Sequence, residues 1–249
     1  MAKSDLLLQV PIMNAAGFLG FAPDLRGPTD ISQMGAFVTN PVSPLARSPA
    51  NSLRFLSFPG GFLLHTGYPS PGLANAIRRY ARHWARSPLP VLVHLLAQKA
   101  GDIAEMVRRL ENLEGVAGFE IGLPAEADGG LVQDFARAAA GELPVLMRLP
   151  LELAAGLADR FAQTHLAAVS LAPPRGALPQ PEGGVLQGRL YGPALFPHAL
   201  AAVQALARRG IPVIGSGGIY TPAQAEAMLQ AGAIAVQLDA VLWRGGWQG

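Results

Sequence analysis

The chain has 249 residues, half of them apolar, with 19 Lys and Arg against 17 Asp and Glu and no cysteine. That length suits a single α/β barrel domain over residues 1–249, with enough apolar content for a sizeable core. The missing cysteines exclude disulfides, thiolate metal sites and thiol catalysis, and a net charge of +2 without a basic stripe among aromatics speaks against nucleic acid as a partner.

No apolar run reaches the roughly 18 residues that a membrane span needs. The N-terminal MAKSDLLLQVPI lacks a signal-type apolar core and a small-residue cleavage site, so a soluble cytoplasmic protein without membrane contact is expected. The five histidines, at 65, 83, 94, 165 and 198, never fall at H-x-x-x-H spacing, so no metal site is expected.

In chain order, strands are expected near 12–16 and 36–40, with a helix between them near 24–33. Three later segments echo one another: LPVLVHL (89–95), LPVLMRL (143–149) and IPVIGSG (211–217). Each opens with proline at a strand start, where a missing N–H costs least, and then runs apolar on both faces as buried parallel strands do. Four residues beyond each proline stand His94, Arg148 and Ser216, on the same face as Leu92, Leu146 and Ile214. If that face points inward, the branched residues fill a barrel layer and the polar ones stand at its mouth. Further strands fit 117–122, 167–171 and 234–238. Helices fit 72–86, 100–113, 128–140, 152–164, 194–209 and 222–231. The last is marked by Thr221 as N-cap, Pro222 at the first position, Gln224 completing a capping box and Gly232 at the end.

Alternation of strand and helix about eight times predicts an α/β fold of the (β/α)8 TIM type, with its site at the C-terminal ends of the strands. Two connections, 41–71 and 172–193, are long and rich in Pro and Gly, and both would roof that mouth. After the strand near 238 only DAVLWRGGWQG follows, so the last helix is shortened or missing. The apolar groove left between the first and seventh helices is expected to be plugged by Trp243 and Trp247, or covered by a second copy or another subunit.

The order of motifs resembles the dihydroorotate dehydrogenase family of FMN-dependent barrels over nearly the whole chain. VPIMNAAG (10–17) and GAFVTN (35–40) are similar to its first two strands, and GGFLLHTGYPSPG (60–72) to its glycine-rich loop. FEIGLP (119–124) falls at its fourth strand and PVLMRLP (144–150) at its fifth. GRLYGPALFPHAL (188–200) is similar to a later glycine turn with its helix, and IPVIGSGGIYT with AGAIAVQLDA to the two phosphate-side strands.

The resemblance implies an FMN-dependent oxidoreductase acting on a small molecule. Ala16, Gly17, Asn40, Gly192, Gly217, Gly218 and Ala240 fall where the family holds its cofactor. Arg148 replaces a lysine near flavin N1 and keeps the positive charge that favours an anionic reduced flavin. Asn40 replaces another lysine. Three asparagines that grip orotate in the family are here Leu64, Gly122 and Ala172, so a different small substrate is expected. The family's Cys or Ser base has no counterpart in GLPAEADGG (122–130). Glu126 is the candidate base there, while Asp128 suits a helix cap. His65, His94 and Tyr191 are the candidate substrate contacts.

Asp239-Ala240 stands where the family offers a Gly-Thr or Gly-Ser pair to phosphate. Either Asp239 points away, or it pairs with Arg189 or Arg244, or no phosphate binds. A second reading is a catalytically inactive family member serving as a structural or partner subunit. A third is a flavin-free barrel acting on a phosphorylated metabolite.

Overall fold

A computed structural model describes residues 6, 8–27, 29–51, 54–124, 127–161, 164–244 and 247. Among these residues eight strands run parallel: β1 (Ile12–Asn14), β2 (Phe37–Val38), β5 (Val91–Leu96), β6 (Val116–Gly122), β7 (Val145–Pro150), β8 (Ala168–Ala172), β11 (Val213–Ser216) and β12 (Ala235–Leu238). They pair in the order β1-β12-β11-β8-β7-β6-β5-β2, and a parallel bridge between Met13 and Ala36 brings the first and last together. The result is a nearly closed barrel of the TIM type.

Among the described residues six α-helices lie between the strands: α1 (Leu73–Ala85), α2 (Ala100–Leu110), α3 (Gly129–Ala138), α4 (Ala154–Phe161), α5 (Phe196–Ala207) and α6 (Pro222–Gln230). Thr221 and Gln224 close the expected capping box at α6, and Asp128 caps α3 through the Leu131 N–H at 2.8 Å. Inside the barrel Leu92, Leu146 and Ile214 form one apolar layer with Met13, Val38, Ala168 and Ala235. The repeated strand pattern therefore does point inward, and His94, Arg148 and Ser216 stand one step nearer the mouth.

One expectation needs correction, and two others gain detail. The helix expected at 24–33 is only a 3-10 turn, Ile31–Gln33, with Asp30 accepting from the Ser32 N–H. Pro23, Gly27 and Pro28 interrupt the sequence too often for helical bonding to propagate. The connections 41–71 and 172–193 are not unstructured. They carry β3 (Phe55–Phe58), β4 (Gly61–Leu64), β9 (Arg175–Pro179) and β10 (Val185–Tyr191), which pair antiparallel in the order β3-β4-β10-β9. The two long segments thus share one sheet that roofs the mouth. Of the two tryptophans expected as a plug, Trp247 packs against the core, while Trp243 is half exposed, its ring tilted against Phe18 and its Nε1 donating to the Phe18 carbonyl at 3.0 Å. Among the described residues the only element after β12 is a 3-10 turn, Ala240–Arg244.

Candidate active site

The inward positions of β6 are Gly118, Glu120 and Gly122, because side chains alternate along a strand. Glu120 is fully buried at the barrel axis, and both its oxygens are bonded. Oε1 accepts from Ser170 Oγ and from Gln237 Nε2, each at 2.7 Å. Oε2 accepts from His94 Nδ1 at 2.6 Å and from Arg148 at 3.4 Å. Burial alone would raise the Glu120 pKa. The charge of Arg148 and the bonds from His94 and Ser170 win, and hold it well below the usual carboxylate range. Burial pushes His94 the other way, downward, with the bond to Glu120 offsetting only part of it. The pair is therefore a neutral imidazole donating Nδ1–H to a carboxylate, which leaves Nε2 as a hydrogen-bond acceptor.

Nε2 faces the mouth across Gly122. A Cβ at position 122 would come within 2.8 Å of that nitrogen. A larger side chain at 122 would therefore have to displace the His94 ring.

A small cavity of about 30 Å³ lies above, lined by Ala16, His94, Gly122, Arg148, Ala172, Arg189, Tyr68 and Tyr191. That is space for about two waters. Its lid is aromatic. Tyr191 is buried between Phe18 and Phe62, with ring centroids at 5.3 and 5.4 Å. Beside it Arg189 donates to the Tyr68 hydroxyl, packs over the Tyr68 ring and donates to the Pro173 carbonyl at 2.7 Å. Tyr68 has φ 50, the one positive value outside glycine among the described residues, a conformation that persists only where surroundings enforce it. Beyond this clasp a larger cavity opens under the roof sheet, and His65 lines it.

Of the residues singled out in the sequence, Ala16, His94, Arg148 and Tyr191 therefore meet at the mouth. His65 lies beyond the clasp, and Asn40 is tied to the Gly20 N–H through Oδ1 at 3.2 Å. Glu126 falls outside the described residues. Glu120, Ser170 and Gln237 were not singled out, although a lone carboxylate in the apolar run AGFEIG was a usable signal.

The ring end of this site suits a flavin in its chemistry: Arg148 supplies a buried positive charge, and small residues wall the mouth, with open space beside Gly17. The phosphate end does not suit FMN. Asp239 is buried, and Oδ1 already accepts the Ala240 N–H at 2.5 Å. Oδ2 has no partner among the described residues. Burial raises the Asp239 pKa to about 6, so it is largely ionised at neutral pH. Each phosphate charge within about 4 Å of it would be repelled by ~1 kcal/mol in water and ~4 kcal/mol at an effective dielectric of 20. Neither Arg189 nor Arg244 pairs with it; Arg244 lies over Tyr220 instead. Gly218 is packed against the start of α5, where a Cβ would meet the Phe196 nitrogen at 2.4 Å. Gly192 is packed on Gly60 and Gly61 in the same way.

Comparison with known proteins agrees with this geometry at the level of the family. A model of the dihydroorotate dehydrogenase family matches residues 4–139, more than half of the chain. Among similar proteins, the catalytic subunit of dihydroorotate dehydrogenase B (NAD(+)) from Pelobacter propionicus is 29% identical, over 94% of this chain and 84% of its own. Its counterpart from Geotalea uraniireducens is 28% identical, over 96% and 87%. The crystal structure of the Eimeria tenella dihydroorotate dehydrogenase in complex with ferulenol superposes with a TM-score of 0.75 at 18% identity, covering 95% of this chain and 77% of that one. A barrel with this strand order, this family match and these relatives belongs to the dihydroorotate dehydrogenase family of FMN-dependent oxidoreductases.

Proposed function

We propose that the chain is a flavin-dependent oxidoreductase that dehydrogenates a small carboxylic acid other than dihydroorotate, with His94 as the proton acceptor. The observation that carries this reading is the His94–Glu120 pair opening on the mouth beside Arg148. Glu120 fixes the imidazole tautomer, and Nε2 faces the space where a substrate C–H would lie. Arg148 is matched by Glu120, but Arg189 lines the mouth with only the Tyr68 hydroxyl and the Pro173 carbonyl as hydrogen-bond partners among the described residues, and its charge favours an anionic substrate. A bound flavin would supply the acceptor for the hydride from the adjacent carbon. His94 takes up the proton, so the substrate loses two electrons and two hydrogens in all. The replacement of three orotate-gripping asparagines by Leu64, Gly122 and Ala172 supports a different acid.

The test is anaerobic mixing of the flavin-loaded protein with dihydroorotate and with a panel of small saturated dicarboxylates and 2-hydroxy acids, following bleaching of the oxidised flavin. We expect dihydroorotate to be inert and a panel acid to bleach. His94→Gln should slow that step by about 10²–10⁴ with flavin binding intact. The rate should rise with pH and level off below neutrality, because burial lowers the His94 pKa. Rapid bleaching by dihydroorotate would sink the altered substrate. A narrow mouth of about 30 Å³ favours the second reading, a non-redox partner subunit. Failure to retain any flavin would decide for it.

A further inference from the structure

Beyond the clasp, the roof sheet presents one face to a cavity of about 540 Å³. Side chains alternate along a strand, and β9 and β10 pair Arg175 with Arg189 and Ala177 with Gln187. These four stand on one face, together with Leu64 of β4, which pairs with Arg189 from the other side. All five line the cavity. Two arginines directly opposite on antiparallel strands repel one another. Arg189 gives its described hydrogen bonds to two neutral acceptors, the Tyr68 hydroxyl and the Pro173 carbonyl. The Arg175 guanidinium has no ion pair among the described residues; Glu152 accepts its main-chain N–H instead, at 3.3 Å. A third arginine, Arg47, lines the same cavity and donates to the Gly67 carbonyl at 3.4 Å. No Asp or Glu is among the described residues that line it.

We propose that the roof cavity binds a small organic acid with two or three carboxylates, one held between Arg175 and Arg189, with Arg47 countering the charge that remains. An anion between the two opposed arginines turns their repulsion into charge-assisted hydrogen bonds, and the planar guanidinium fork matches a carboxylate. The walls between the arginines include Leu64, Ala177, Tyr68 and Tyr191, which suit a carbon chain between carboxylates better than an inorganic anion. The volume is in the range of small-molecule sites. The cavity shares Tyr68, Arg189 and Tyr191 with the mouth as a common wall. No flavin takes part in this binding, so the inference goes beyond the flavin reading and does not depend on it.

The test is calorimetric titration of the whole purified chain at pH 8 and low salt, with tricarballylate, succinate, butyrate and pyrophosphate as probes. We expect tricarballylate to bind more tightly than pyrophosphate, to exceed the monoanion butyrate by about tenfold or more, and to weaken as salt is added. Arg175→Gln should weaken tricarballylate by about tenfold. Arg82→Gln removes the same charge from an exposed position on α1 and should change nothing. Arg175 is exposed, so its replacement leaves the fold intact. Without ligand, Arg175→Gln should raise the thermal unfolding midpoint, because the cross-strand repulsion is gone. Binding of neither tricarballylate nor succinate overturns the inference. So does an equal loss in Arg175→Gln and Arg82→Gln, or pyrophosphate binding more tightly than tricarballylate. Each of these results leaves the flavin-bleaching assay, and the reading it tests, standing on its own.

Discussion

His94 and Gly122 show how much can hang on one missing side chain. The imidazole occupies the place a Cβ at 122 would need, 2.8 Å from Nε2. Placing asparagine there should cost about 1–3 kcal/mol by overpacking. In a His94→Ser background most of that cost should vanish, giving a coupling above ~1 kcal/mol in a urea-unfolding cycle. An undiminished cost would mean that something other than His94 excludes the larger residue. Asp239 offers a second check, through pH. Its folded pKa of about 6 lies above the ordinary 3.8, so the folded state holds the proton more tightly. Stability therefore falls as pH rises from about 4 to about 6 and is level above that. The interval corresponds to ~3 kcal/mol. Asp239→Asn should match the parent near pH 4 and exceed it by up to ~3 kcal/mol at pH 7, measured by chemical unfolding. A gap that does not change with pH would show that the carboxylate is not buried as described.

At the scale of elements, what could be read from the sequence was what repeats locally. Proline-led apolar strands and the Thr221 capping box both rest on residues within a few positions of one another, and both are present. The roof sheet was not legible, because β4 and β10 pair Leu64 with Arg189 and Phe62 with Tyr191, partners more than 120 positions apart. Pro and Gly in both segments suggested loops, and no local period announced the pairing. The polar knot was half legible. Spacing gave His94 and Arg148, while Glu120 and Gln237 needed the knowledge that their strands turn the same face inward. The fate of Arg189 was beyond the sequence, since choosing Tyr68 over Asp239 is a matter of direction in space. The roof also differs from the barrel in how it is held. Its outer strands alternate exposed and half-buried residues, whereas β7, β8, β11 and β12 are buried throughout. Amides of β3, β4, β9 and β10 should therefore exchange with solvent through local opening, at free energies well below those of the barrel strands. Hydrogen exchange read by mass spectrometry would test this. Equal protection of roof and barrel would tie the mouth's lid to global unfolding and leave a flavin ring no ready way in.

For the whole molecule, the barrel and its roof solve the problem of strand edges differently. The barrel brings β1 and β2 together, so it presents almost no open row of N–H and C=O groups. The roof keeps two edges, β3 and β9. On β9 the edge is blunted: Arg175 puts charge at one end, and Pro179 at the other has no N–H to offer an incoming strand. On β3 the exposed Phe55 stands at the margin instead, stacked on Phe62 at 5.0 Å. The two sides of the lid are thus unequal in their risk of self-association. Crowded or partly unfolded chains would first adhere along β3, and a lysine on that margin is the change that would keep a concentrated preparation clear.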